Sequence, residues 1–179
     1  MAWEIDPVHS QAVFSVKHMM ITTVRGQFNV LRGKLDIDEQ QLENSWVEAE
    51  VDAASIDTRD ERRDAHLRSP DFFDTEKYPT ITFKSTKVES VGDNEYRVTG
   101  NLTMHGVTKE VTFAAEYSGQ LKDPYGLQRA GLSAKTTINR KDFDLNWNAV
   151  LETGGVAVSD KVTIEIDLAA VQKPVAVPA

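Results

Sequence analysis

The chain has 179 residues, 40% of them hydrophobic, with 20 Lys+Arg against 28 Asp+Glu and a formal net charge of -8. That length fits one domain with a sizeable core, and the acidic balance argues against a nucleic-acid partner, because phosphate binding needs a concentrated positive field. Without cysteine, disulfides, thiolate metal sites and thiol catalysis are excluded, and no apolar run reaches the roughly 18 residues of a membrane-spanning helix.

Taken in chain order, the N-terminal MAWEIDPVHS carries no basic region followed by an apolar block. No signal peptide is therefore expected and the chain as given reads as cytoplasmic; a processed mature form, periplasmic or secreted, would read the same. Alternation then places Ala12, Phe14, Val16 and His18 on one face of a strand and Val13, Ser15 and Lys17 on the other. The segment Val24 to Asp38 carries Phe28, Val30, Leu35 and Ile37, with Gly33 read as a bulge or bend. Val47, Ala49, Val51 and Ala53 alternate with Glu48, Glu50 and Asp52 as a half-buried strand.

Over about residues 59–69 the period changes. Asp60, Arg63, Asp64, Leu67 and Arg68 fall at spacings of three and four, which predicts a short helix with Asp64 and Arg68 placed to pair, ending at Ser69 before Pro70. From Pro79 a strand resumes, with Ile81 and Phe83 alternating with Thr80, Thr82 and Lys84. Gly92-Asp93-Asn94 marks a turn into Tyr96, Val98, Gly100, Leu102 and Met104, and His105-Gly106 a tight hairpin into Val111, Phe113, Ala115 and Tyr117. Asp123-Pro124-Tyr125-Gly126 is a further turn, followed by Leu132, Ala134, Thr136 and Ile138, a Gly154-Gly155 loop, and Val162, Ile164, Ile166 and Leu168. Residues 171–179 carry two prolines and no pattern and read as a flexible tail, which leaves residues 1–170 as a single domain.

About eight antiparallel strands with short turns indicate a sandwich or a barrel. The long strands with internal glycines favour an all-β, closed eight-stranded barrel with one short helix inserted. The bore of such a barrel is either filled by side chains or holds one slender ligand. The small inward residues Gly100, Ala115 and Ala134 favour a cavity. The inward candidates are Phe14, Val16, Val51, Ile81, Phe83, Val98, Leu102, Met104, Val111, Phe113, Leu132, Ile138, Ile164 and Ile166.

Catalytic chemistry is thin. The histidines His9, His18, His66 and His105 show no His-x-His or His-x-x-x-His spacing, Ser10 lies in no nucleophile elbow, and no phosphate-binding loop is present. No catalytic or metal residue is assigned; the enzyme alternative would rest on His18 as general base. His105 reads as a solvated turn residue. The arginines of the helix and turns read either as a solvated, ion-paired face or as donors to the anionic head of a lipid whose tail lies inside the barrel.

Four segments, WEIDPVHSQAVFSVKHMMITTVRGQF, DAHLRSPDFFDTEKYPTITFKST, VTGNLTMHGVTKEVTF and INRKDFDLNWN, resemble in order the motifs of the YceI-like, polyisoprenoid-binding, lipocalin-like family, over roughly residues 3 to 170. The resemblance implies an extended eight-stranded lipocalin-like barrel, a homodimer, and binding, transport or storage of a polyprenyl phosphate or isoprenoid quinone in the bore. No cofactor beyond that lipid and no integral membrane segment are expected, and transient membrane contact for lipid exchange is left open. Within the family motifs Arg25, His66, Arg68 and Arg140 are the head-group candidates, their alternative role being ion pairs that pin the helix to the barrel. Many members carry a secretory leader, whereas this sequence starts at the first strand motif. The late motif reads Asp-Phe-Asp where the family often has Asp-Phe-Gly. Two other readings stand beside this one: an enzyme acting on isoprenoids or quinones, and a fatty-acid or amphiphile binder of the same fold. At ~0.8 kcal/mol per buried CH₂, a chain of about 40 carbons would gain roughly 30 kcal/mol. That exceeds the ceiling of about 21 kcal/mol for non-covalent binding, so ordering consumes much of the gain or part of the chain stays outside.

Overall fold

The computed structural model describes residues 3–152 and 154–172. Its strands are β1 (Trp3–Ile5), β2 (Gln11–His18), β3 (Thr22–Phe28), β4 (Leu31–Asp36), β5 (Trp46–Asp52), β6 (Ile56–Asp57), β7 (Thr80–Gly92), β8 (Glu95–Met104), β9 (Val107–Lys122), β10 (Gln128–Asn139) and β11 (Val158–Gln172), with one α-helix, α1 (Glu61–Arg68), between β6 and β7. Strand β1 bonds both β4 and β11, which closes the antiparallel ring β1-β4-β5-β7-β8-β9-β10-β11. β2 continues along β11 (Phe14 opposite Ile164) and β3 along β2 (Gly26 opposite Phe14). Two broken strands, β1/β2 and β3/β4, and six others therefore make the expected eight-stranded barrel.

The seam is built to survive its break. Between β1 and β2 the chain leaves the ladder, and Ser10 Oγ takes its place: it accepts from Ala169 N at 2.9 Å and donates to Ala169 O at 3.2 Å, while Asp6 N donates to the same carbonyl at 2.8 Å. The second break falls at Asn29-Val30, not at Gly33, because here the chain changes neighbours. β3 pairs with β6 and β4 with β5, and Val30 turns outward, 41% exposed, as Leu31 turns in. Gly33 stays in register opposite Ala49; a Cβ there would overlap the Glu48 carbonyl and come within 2.7 Å of Ile5 Cδ1. The glycine marks close approach rather than a bend.

The helix begins at Asp60, whose Oδ1 accepts from Arg63 N at 3.1 Å, and ends at Ser69 before Pro70. The expected Asp64–Arg68 pair is not formed. Asp64 is buried and accepts from Thr58 N (2.9 Å) and Thr58 Oγ1 (2.5 Å), and Arg68 reaches away to Ala54 O (2.9 Å) and Ile56 O (3.3 Å). The buried bonds of Asp64 to Thr58 outweigh a solvent-exposed ion pair. Strand β3 is covered on its outer edge by only two residues of β6, and Phe73, in the chain after α1, packs on Phe28 of β3. At the other terminus, Val171 and Gln172 pair with Glu4 and Trp3, so the last strand outruns the expected boundary at 170; residues 173–179, the rest of the expected tail, lie outside the described residues.

Inside, the buried side chains fall into two clusters, one around Trp3, Ile5, Leu31, Leu35 and Ala170, the other around Leu102, Met104, Phe113, Phe143 and Leu145. A filled barrel would give one continuous core; here Ile81 and Ile166 touch both clusters, and much of the space between them is empty. Gly33→Ala is expected to lower the unfolding free energy by ~1–3 kcal/mol, as overpacking does. Gly131→Ala, whose Cβ would meet Ser118 Cβ at an ordinary 3.6 Å, leaves it unchanged or raises it by up to ~1 kcal/mol, both read from urea denaturation.

Candidate functional site

The space between the clusters is a cavity of about 290 Å³. Its wall takes inward residues from every barrel position: Phe14 and Val16, Phe28, Leu31 and Leu35, Val51, Ile81 and Phe83, Val98, Leu102 and Met104, Phe113, Leu132 and Ile138, Ile164 and Ile166. Val111, expected among them, instead packs into the cluster around Phe143. The bore exists because small side chains interrupt the large ones. Ala12, Ala49, Ala115 and Ala134 all face it, and a Cβ on Gly100 would lie 2.6 Å from Phe83 Cζ, so the tip of that ring occupies space a larger residue at 100 would take.

One end is closed. Leu67 of α1, Phe72 and Phe73 behind it, Leu145, Val158 and Arg140 form the floor. Phe73 stands edge-on to Phe28 (5.9 Å between centroids), itself packed on Phe14 at 5.8 Å. Phe72 and Phe73 were not among the inward candidates; their adjacency in a turn-rich segment hides any strand or helix period, although two neighbouring Phe in such a segment is itself a sign of burial. The other end is the mouth, ringed by Ile37, Leu42, Ser45, Trp46, Tyr96 and Tyr117. The β4–β5 connection arches over it and is tied down twice: Tyr117 Oη donates to Glu39 Oε1 at 3.0 Å, and Ser90 N donates to Glu43 Oε1 at 3.2 Å. Burial, reinforced by the Glu39 carboxylate and opposed by Gln120, pushes the Tyr117 phenol up to about 12.

Of the four head-group candidates, only Arg140 reaches the bore. Arg25 is exposed on the outer face of β3, opposite Ser15, because Val24 and Gly26 take the inward side. His66 donates through Nε2 to Asp71 Oδ2 at 2.9 Å and packs edge-on against Phe72 and Trp147 outside the wall. Arg68 is the strut described above. Arg140 is 3% exposed and gives Nε to Ser159 O (2.9 Å), Nη1 to Leu145 O (2.6 Å) and Nη2 to Val158 O (3.3 Å). Burial lowers its pKa, with Asp160 opposing, but Asp160 Oδ1 lies against Lys141 Nζ at 3.5 Å. The floor of an apolar bore thus carries a guanidinium charge bonded to carbonyls rather than to a carboxylate. His18, the general-base candidate, does not line the cavity. His105 is no solvated turn residue: its Nδ1 donates to Phe143 O at 3.1 Å and its ring stands on Tyr78 at 5.0 Å.

A closed antiparallel barrel of eight strands with an apolar, one-ended bore is the architecture of a lipocalin-like binding protein. The YceI-like domain matches residues 3–170, and the chain belongs to that family. It is 40% identical over 164 residues to a UPF0312 protein of Staphylococcus epidermidis, covering 91% of this chain and 93% of that one. Among solved structures it is similar to the Campylobacter jejuni YceI protein (31% identity, TM-score 0.77, 88% of this chain and 90% of that one). A polyisoprenoid binding domain from Saccharophagus degradans, at 18% identity, shares the fold (TM-score 0.70, 96% and 98% covered).

A raised tyrosine pKa means that the neutral phenol is favoured in the folded state. Its contribution to stability is complete below the unfolded value near 10 and is lost as pH rises towards 12. The difference between ultraviolet pH titrations of the wild type and Tyr117→Phe should therefore show a phenolate step near pH 12; a step near pH 10 would place the hydroxyl in free solvent.

Proposed function

We propose that the protein binds one long-chain isoprenoid lipid, of the polyprenyl phosphate or isoprenoid quinone type, in its bore, and carries or stores it without catalysing a reaction. The observation that carries this reading is the apolar, one-ended cavity of about 290 Å³. At roughly 12–30 Å³ for each water-sized group, such a space takes on the order of 10–25 chain carbons. Their burial at ~0.8 kcal/mol each is about 8–20 kcal/mol gross, below the practical ceiling of about 21. A longer chain leaves its remainder at the mouth, so the bore selects for width and apolarity and tolerates length.

Arg140 supplies the one charge the wall presents at the floor. A cation there favours a ligand whose polar end is anionic or rich in acceptor oxygens. The solved polyisoprenoid binding domain supports the same ligand class.

Organic-solvent extraction of the purified protein followed by mass spectrometry should return one isoprenoid lipid per chain. Ala134→Trp, which fills the bore, should cut the yield more than tenfold with the circular dichroism unchanged. Extracts without lipid, together with failure of the stripped protein to take up any prenyl compound, would contradict the proposal; recovery of fatty acids alone would favour the amphiphile reading. Arg140→Met should bring the affinities for a prenyl phosphate and the prenyl alcohol of equal length together, whereas Ala134→Trp weakens both.

A further inference from the structure

The end of the barrel opposite the mouth carries exposed apolar side chains that the bore does not explain. Met19, Met20 and Ile21 form the turn between β2 and β3 and are 46%, 62% and 81% exposed. Beside them lie Val150, at 83%, and Val156, at 37%, in the connection between β10 and β11. The two segments are joined: Met19 N donates to Ala157 O at 2.9 Å, and Met20 Sδ sits against Gly155. Met19 and Met20 also occupy consecutive left-handed positions, φ 50 and 64, where a hairpin turn favours Gly or Asn. Two large apolar side chains are held out into solvent at a conformational cost that glycine would avoid.

We propose that this tip docks the protein onto a phospholipid bilayer. A second copy of the chain is the poorer occupant, since a standard protein interface takes about 20–30 residues a side and this patch offers five exposed apolar side chains on two turns. Apolar side chains inserting to ~5–10 Å at the headgroup boundary need no matching surface, and flexible methionines adapt to one. Leu145 and Val158, at the two ends of the connection that bears Val150 and Val156, line the cavity floor, and Asn148 ties that connection to Val158 through Nδ2 to Val158 O at 2.7 Å. The tip is therefore braced from behind by the closed floor, with the mouth of the bore at the opposite end. The docking surface does not rest on the function proposed above. Lys17 and Arg25 are exposed on the hairpin and Glu152 on the connection, on a chain of net charge -8, so attraction is apolar and persists in salt.

Co-sedimentation with phosphatidylcholine vesicles at low and high salt tests it. The wild type should pellet in both, and the double variant Ile21→Asp, Val150→Asp, changed only at positions more than four-fifths exposed, should bind at least tenfold more weakly with an unchanged melting curve. No wild-type binding, or equal binding by the variant, overturns the proposal. So does a dimer in analytical ultracentrifugation that the double variant abolishes without any vesicle binding. Solvent extraction of the same samples separates the two ideas: vesicle binding by a protein whose bore yields no lipid supports the docking surface and contradicts the isoprenoid reading.

Discussion

The closure of the sheet at β1 is the constraint on which the rest of the structure depends. Three residues, Trp3–Ile5, bond to β4 on one side and β11 on the other, and with that seam made, every strand has one face turned to a common interior and one to solvent. Ser10, held at both its lone pair and its proton by Ala169, keeps the ladder continuous where the strand itself departs. Closure also fixes the width of the interior, because strand number and tilt set the diameter of a barrel. What the side chains do not fill remains empty.

The emptiness has a specific origin. Large residues at the two ends pack tightly around Trp3 and around Phe143, while alanines and glycine-backed rings line the middle. Filling that middle would have been simple with Leu or Ile at positions 49, 115 and 134, each of which adds volume a close-packed interior would accept. A polar contact stands at each end: Tyr117 with Glu39 at the mouth and Arg140 at the floor. The guanidinium is tolerated there because three carbonyls of the segments it pins accept its hydrogen bonds, so one residue both anchors the floor and charges it.

Much of this is legible in the amino-acid sequence, and what is not has a common cause. Period-two alternation sorts Tyr96 to Met104 and Val162 to Leu168 onto the correct face because that sorting is local. Arg25 falls between Val24 and Gly26, so the same period already assigns it outward, and the head-group expectation set that parity aside in favour of motif position. Asp64 and Arg68 are different. Their spacing is right for a pair, but Thr58, six residues before Asp64, and the Ala54 and Ile56 carbonyls, 14 and 12 residues before Arg68, lie outside the helix whose period suggests it. The short β1 and the floor residues Phe72 and Phe73 likewise acquire their roles from distant partners, which no window of the chain contains.

The central claim is that an apolar bore of limited volume holds the chain of a lipid. Isothermal titration of the stripped protein with prenyl alcohols of about 10, 15 and 20 carbons, and with one of about 40, tests it most directly. Affinity should tighten with each added isoprene unit until the bore is full, within roughly 10–25 carbons, and then level off, with a negative heat-capacity change that grows in step. Affinities that are equal at every chain length, or binding with no heat-capacity change, would contradict the account.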